Sequence, residues 1–271
     1  MRILFVTDFY HPYSGGVEIH VRTVAHELAA RGHAVAVATL PTPAGVPAPT
    51  GDGPVAIYPV RHSAEILGAR FNHQDRAWAP PFPDPVTGRG LRRVIADFEP
   101  DLIHGHDWLS RSALPGPVSG GLPVVTSLHY STRTCAKKTL WRGGEICSGP
   151  ELAKCLRCAG EHYGRVRGTV VTLGLRVGAA LEDRRTERWV SVSAATERGN
   201  ELDGRHNSVV VANPMPGPVG RRPPDTGVDA AGSQDLPVEL PDGAFILFVG
   251  DIRPEKGVAV LAEAVAVLRA D

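Results

Sequence analysis

Short apolar runs alternating with helical stretches constrain this chain more than any other feature. Arg2-Ile-Leu-Phe-Val-Thr7 has the length and composition of a buried strand. Val17, Val21, Val24, Ala25 and Leu28 then recur at helical spacing, Gly32 supplies a C-terminal stop, and Ala34 to Leu40 is again strand-like. That is a βαβ opening. Further strands are expected at Val55 to Val60, Asp101 to His104, Pro123 to Leu128, Trp189 to Val192 and Ser208 to Val211. The alternation predicts an α/β fold, a Rossmann-like parallel sheet with helices on both faces, and 42% apolar residues in 271 suffice for its core.

Two stretches interrupt the pattern. Phe71 to Pro85 holds Pro80, Pro81, Pro83 and Pro85 and reads as a surface excursion; residues 130–163 form a longer insertion that contains every cysteine. Beyond it, Val166, Val170, Leu173, Val177 and Leu181 stripe one face of a helix, with Arg165, Arg167, Arg176 and Arg184 on the other. The expectation is a core helix with a solvated basic face, the alternative a surface helix facing anionic lipid. Seven prolines from Pro214 to Pro241 mark a linker. A second α/β unit then opens, with a strand from Ala244, a loop from Gly250 to Gly257 and a helix carrying Leu261, Val265 and Leu268. The expected division is a first domain over 1–214, a linker over 215–243 and the start of a second domain over 244–271. Such a unit, stopped after one strand and one helix, is expected to belong to a longer protein.

Charge excludes one class of partner. Lys plus Arg and Asp plus Glu balance at 29 each, so no net field invites nucleic acid. Residues 131–190 nevertheless carry twelve basic against six acidic side chains, an excess that suits anionic lipid or a phosphorylated ligand. No signal-type segment precedes the first strand and no run of 18 apolar residues occurs, so the expected location is cytoplasmic, or peripheral at the inner face of a membrane, with reduced thiols.

Three loops carry the chemistry. Pro12-Tyr-Ser-Gly15-Gly16 joins the first strand to the first helix, where backbone amides at a helix N-terminus attract phosphate. His104-Gly-His106-Asp107-Trp108 and Ser127-Leu-His129-Tyr130 follow two further strands, so all three loops meet at the carboxyl edge of the sheet, where ligands of open α/β sheets bind. An imidazole there can hydrogen-bond a sugar hydroxyl or a phosphate oxygen.

With these residues in view the chain resembles the retaining glycosyltransferases of family 4, which have the two-domain GT-B fold. The resemblance rests on an ordered set: Gly15-Gly16-Val-Glu-x-His20, Asp101-Leu-Ile-His-x-His-Asp-Trp108, Thr126-Ser-Leu-His129, Val190-Ser-Val-Ser193, Val211-Ala-Asn-Pro214 and Phe248-Val-Gly-x-x-x-Pro-Glu-Lys-Gly257. It implies an acceptor-side first domain, a donor-side second domain, and transfer of a sugar from a nucleotide-sugar to a hydroxyl acceptor with retention. By resemblance His129 sits beside the reacting sugar, Gly15 and Gly16 meet the donor diphosphate, and Lys256 pairs with it from the second domain. His104, His106 and Asp107 line the acceptor side of the cleft. No cofactor is implied for the transfer itself, because helix N-termini and a cation can stabilise the leaving diphosphate. One position departs from the family pattern: Asp251 stands where Arg is usual, so either Arg253 substitutes as the second cation or it merely pairs with Asp251 or Glu255. With so little of the second domain, this chain alone is expected to be nearly inactive. A non-catalytic binding module and a nucleotide-sugar epimerase of the same architecture remain as alternatives.

Cys135, Cys147, Cys155 and Cys158 are the only cysteines, spaced C-x11-C-x7-C-x2-C. Four clustered thiols in a reducing compartment suggest structural zinc; two disulfides or four unligated thiols are the other readings. Oligomeric state has no signature in the sequence.

Overall fold

The computed structural model describes residues 1–13, 15–42, 49–63, 79–214, 245–250, 252 and 256–268. They fall in two units, Met1–Gly217 and Pro218–Asp271.

The first unit is built on an eight-stranded sheet. Its strands are β1 (Arg2–Thr7), β2 (Ala34–Thr39), β3 (Gly51–Asp52), β4 (Val55–Pro59), β5 (Leu102–His106), β6 (Val124–Leu128), β9 (Arg188–Ser191) and β10 (Ser208–Val210). Two further strands, β7 (Trp141–Arg142) and β8 (Glu145–Ile146), form a separate hairpin. The sheet order is β10-β9-β6-β5-β1-β2-β4-β3, and every pairing is parallel except β3 with β4. From β1 the order runs outward in both directions. The switch point therefore lies between β1 and β5, and the crevice beyond their carboxyl ends is where such sheets hold ligands.

Strand periodicity explains the two cores. Leu4, Val6, Ala36 and Ala38 pack with Leu91, Val94, Phe98 and Leu109 on one face. Ile3, Phe5, Val35 and Val37 pack with Val17, Val21 and Ala25 of α1 (Gly16–Ala30) on the other. Because successive strand residues point to opposite faces, a continuous apolar run is what a sheet covered on both sides demands. Gly32, at φ 86°, ends the α1 segment as expected.

Four expectations for the first unit need correction. The segment leading to Pro85 is no surface excursion where it is described, since Ala79, Pro81 and Asp84 are buried; residues 71–78 lie outside the described residues. Pro85 instead opens α2 (Pro85–Phe98), where its missing N–H costs nothing, and Asp84 caps it by accepting from Val86 N at 2.7 Å and Thr87 N at 3.1 Å. The histidine motif begins inside β5, not after it. The insertion at 130–163 does more than interrupt the pattern, because besides the hairpin it contains α4 (Leu152–Tyr163).

The fourth correction concerns α5 (Arg165–Arg185). Its predicted core stripe faces outward, with Val166 78%, Val170 47%, Leu173 47% and Val177 60% exposed; of the five, Leu181 alone packs on the core. The buried face is Gly168, Thr172, Gly174, Leu175, Gly178 and Glu182. Close approach decides this: a side chain at Gly168 would meet the Ala159 backbone of α4, and one at Gly178 the Pro81 carbonyl and Arg111. Glu182 adds a second reason, since it forks onto buried Arg111 with Nε–Oε1 2.8 Å and Nη2–Oε2 3.0 Å. Valine periodicity was a sound helix signal, but small residues and one ion pair chose the inward face.

The second unit contains α7 (Val258–Leu268), the element after α3 (Gly116–Ser119) to α6 (Ala194–Gly199) in chain order. Residues 245–250 are not in a strand, for a strand needs a neighbour to pair with and none is present among the described residues.

Candidate functional site

At the carboxyl ends of β1, β5 and β6 four imidazoles converge. Register explains why: His104 pairs across from Phe5 and Val125, and His106 lies opposite Ser127, so His104 and His106 share a sheet face. Phe5 lies against both, with ring centroids at 4.9 and 5.7 Å. His129, just beyond β6, hydrogen-bonds through Nε2 to His106 Nδ1 at 3.0 Å, and His104 Nε2 hydrogen-bonds Ser127 Oγ at 2.8 Å. His20, from the second turn of α1, meets the His129 ring edge-on at 4.6 Å. Three of the sequence-predicted residues, His104, His106 and His129, are thus brought into one contact network. His20 had been noticed only as part of a motif.

Burial keeps this cluster neutral. Desolvation holds His104 at about 3 and His129 at about 4, with neighbouring imidazoles pushing the same way and Asp107 opposing at His129. It drives His106 well down and lowers His20. Neutral imidazoles offer one donor and one acceptor each, which suits hydroxyl recognition. They also suit a metal, since the ligand nitrogens of His20, His106 and His129 lie within 4.8 Å of one another. His106 Nε2 and His20 Nδ1 are buried with no hydrogen-bond partner among the described residues.

A charged triad borders the imidazoles; the sequence reading named its Asp107 but missed Asp8 and Lys138. Asp8 follows β1 directly and accepts from Leu109 N at 2.7 Å. Lys138, from the cysteine-bearing insertion, places Nζ 3.6 Å from Asp8 Oδ2 and 3.6 Å from Asp107 Oδ1, over the Trp108 ring. Complete burial raises Asp8 to about 7 despite the lysine, with Asp107 adding repulsion. An acid immediately after the first strand of an α/β sheet was the available signal. Asp107 takes a left-handed φ of 55°, which turns the chain after β5.

The loop that carries Gly15 and Gly16 lies on the same edge. Gly15 caps α1 in an extended conformation, and a side chain there would strike the Glu18 carboxylate, which folds back over the helix start. Gly16 differs: an added Cβ meets nothing within 4 Å. Open space at the first turn of a helix leaves room for a ligand to approach the amides. Tyr10, in the same loop, donates to buried Asp52 at 3.0 Å; Arg22 holds that carboxylate at 2.7 and 2.9 Å and His26 at 2.9 Å. Burial alone would raise Asp52, but those hydrogen bonds hold it at about 2. The loop is therefore tethered from behind.

In the second unit Lys256 is exposed just before α7, while Asp251 and Arg253 lie outside the described residues. The four cysteines stand apart from the imidazoles in their own cavity.

Residues 14–158, more than half of the chain, match the model of the family described as Glycosyltransferase Family 4. The chain belongs to glycosyltransferase family 4. It is 27% identical over 146 residues to a phosphatidyl-myo-inositol mannosyltransferase of Mycobacterium tuberculosis, covering 53% of this chain and 35% of that protein. It is 34% identical over 154 residues to a D-inositol 3-phosphate glycosyltransferase of Nocardiopsis dassonvillei, covering 55% and 32%. The chain thus aligns with about a third of the length of these relatives. Among solved structures it is similar to a sucrose-phosphate synthase of Thermosynechococcus elongatus at 14% identity and TM-score 0.44, covering 78% of this chain and 47% of that one. The catalytic domain of starch synthase IV from Arabidopsis thaliana gives 14% and 0.44, with 79% and 51% covered.

Proposed function

We propose that this chain forms the acceptor side of a glycosyltransferase that moves a sugar from a nucleotide-sugar to a hydroxyl acceptor with retention. The observation that carries the reading is the neutral imidazole cluster at the β1–β5 switch point, beside an unobstructed helix start at Gly16. In this reading the donor diphosphate lies against the α1 amides, whose partial positive charge offsets the charge that develops as the glycosidic bond to phosphate breaks. Lys256 is proposed as a further cation for the diphosphate on the strength of the family resemblance alone. His129 hydrogen-bonds the sugar while His104 and His106 fix its ring, and Asp107 and Lys138 border the acceptor. Both relatives are named for inositol-bearing phosphates, so an inositol phosphate, free or lipid-anchored, is the first acceptor to test.

The exposed stripe of α5 gives the acceptor a setting. Val166, Val170, Leu173 and Val177 lie in the open beside exposed Arg165, Arg176 and Arg184, which pairs apolar insertion with attraction to anionic headgroups. We take its occupant to be an anionic bilayer surface. No helix among the described residues is long and apolar enough to cross a membrane.

The test is donor binding and turnover by the complete gene product against a nucleotide-sugar panel, in native form and as Gly16→Val. Because the added side chain meets no protein atom at its Cβ, the variant is expected to fold normally yet lose about tenfold or more in donor affinity, the order of ~1.4 kcal/mol. Unchanged donor binding in a folded Gly16→Val variant rejects the diphosphate placement.

A further inference from the structure

Four cysteines take no part in this chemistry, yet the fold gathers them. Cys135 lies in the turn region after β6, Cys147 directly follows the β7–β8 hairpin, and Cys155 and Cys158 sit near the start of α4, one turn apart. None is in a disulfide. All four line one cavity of about 30 Å³, together with Lys137, Arg142 and Lys154. That volume suits an ion or one or two waters, not a substrate.

The surrounding segment has little apolar support of its own. Between 131 and 163 the only buried apolar residues are Ala136 and Ala159, and no residue of the segment belongs to the three hydrophobic clusters. A hairpin of two-residue strands does not hold itself together in water. The same segment nevertheless delivers ordered groups to the cleft. Lys138 reaches Asp8 and Asp107, and the Thr132 carbonyl accepts from Trp108 Nε1 at 3.0 Å and Arg111 Nη2 at 3.1 Å.

We propose that Cys135, Cys147, Cys155 and Cys158 bind one structural zinc ion as four thiolates, and that this ion fastens the insertion that carries Lys138 into the cleft. A helical C-x2-C joined by a cysteine after a tight hairpin and one from a turn supplies the four sulfurs that structural zinc takes. On binding, each thiol gives its proton to solvent, and Zn²⁺ with four thiolates carries two net negative charges. Lys137, Arg142 and Lys154 on the cavity wall offset them. Zinc–sulfur bonds of about 2.3 Å bring sulfurs to within about 4 Å of each other. Among the described residues the ligand atoms already gathered closely enough to hold an ion are those of the cleft imidazoles, so zinc binding at the cysteines draws the thiolates inward by side-chain rotation. The His20–His106–His129 set is a separate nitrogen site, and the experiment distinguishes the two.

The chain is purified without a histidine tag, chelator or added metal, and its zinc content and thiol reactivity are measured. About one zinc per chain is expected, with the four thiols shielded until a chelator removes the ion. Replacing zinc with Co²⁺ is expected to produce the strong thiolate-to-cobalt charge-transfer absorption of an all-sulfur site. Cys155→Ser with Cys158→Ser is expected to lower zinc content about tenfold or more, while His20→Gln with His106→Gln leaves it unchanged. Metal-free protein with four reactive thiols, two disulfides, or zinc that survives in the cysteine variant and is lost in the histidine variant overturns the proposal. Should the cysteine variant fail to fold, the cobalt spectrum of the native chain decides alone. Zinc content is read without any transferase assay, so this proposal and the transferase reading fail separately.

Discussion

Lowering the pH from 7 to 5 should destabilise the first unit through its imidazole cluster. In the unfolded chain a histidine near 6.5 is almost fully protonated at pH 5. In the fold His104, at about 3, and His129, at about 4, stay neutral. Their folded values lie below the unfolded one, so stability is lost as pH falls through 6.5. Each group costs roughly 2 kcal/mol at pH 5, about 1.4 kcal/mol for every unit below 6.5, or roughly 4 kcal/mol together. His106 acts in the same direction. Asp8 opposes: its folded value of about 7 lies above the unfolded 3.8, so the fold takes up a proton on acidification and regains roughly 2 kcal/mol. A net loss of at least about 2 kcal/mol is a large share of a domain's stability. Urea unfolding of the chain, followed by tryptophan fluorescence, at half-unit steps from pH 8 to 5 measures it. His104→Gln should remove roughly 1.4 kcal/mol per pH unit from the slope between pH 6 and 5. Stability that is flat or rises between pH 7 and 5 refutes the claim that these imidazoles are buried and neutral.

Other perturbations separate the remaining roles. Glu182→Ala strips buried Arg111 of both its carboxylate contacts and should cost about 3–5 kcal/mol, read from the urea midpoint, whereas a paired Arg111→Met, Glu182→Leu exchange should cost much less. Native protein should co-sediment with vesicles containing phosphatidylserine at low salt, and Val170→Ser with Val177→Ser should weaken this about tenfold, the effect of ~1.4 kcal/mol of lost apolar contact. No sedimentation at any salt removes the bilayer from the account. In the complete gene product Lys256→Ala should lower kcat/KM for the donor by about tenfold or more without changing the urea midpoint, because an exposed side chain is lost from the donor side only. Equal kcat/KM would place the donor elsewhere.

Much of the sheet was legible because parallel strands buried on both faces must be apolar through their centres, as residues 3–6 and 34–38 are. Strand position then carried the site: Gly16, His106 and His129 could be assigned to one edge without coordinates, since carboxyl ends of parallel strands share an edge. Other features were not legible. The inward face of α5 was set by Gly168, Gly178 and Glu182, which contribute little to an apolar periodicity. Lys138 reaches Asp8 across 130 positions of sequence, and Asp52 gathers Tyr10, Arg22 and His26 from two other elements. Such long-range pairs leave no local pattern. The cysteines were conspicuous by spacing, and the structure adds that all four line one cavity.

Sugar transfer by the complete gene product with His129→Ala tests the account most directly, with Arg93→Ala on the exposed face of α2 as the control. The account predicts a fall in turnover of about a hundredfold or more for His129→Ala, in protein that still shows a cooperative urea transition at pH 8, and full activity in the control. Full turnover with His129 removed would contradict the assignment of the β1–β5 edge as the transfer site.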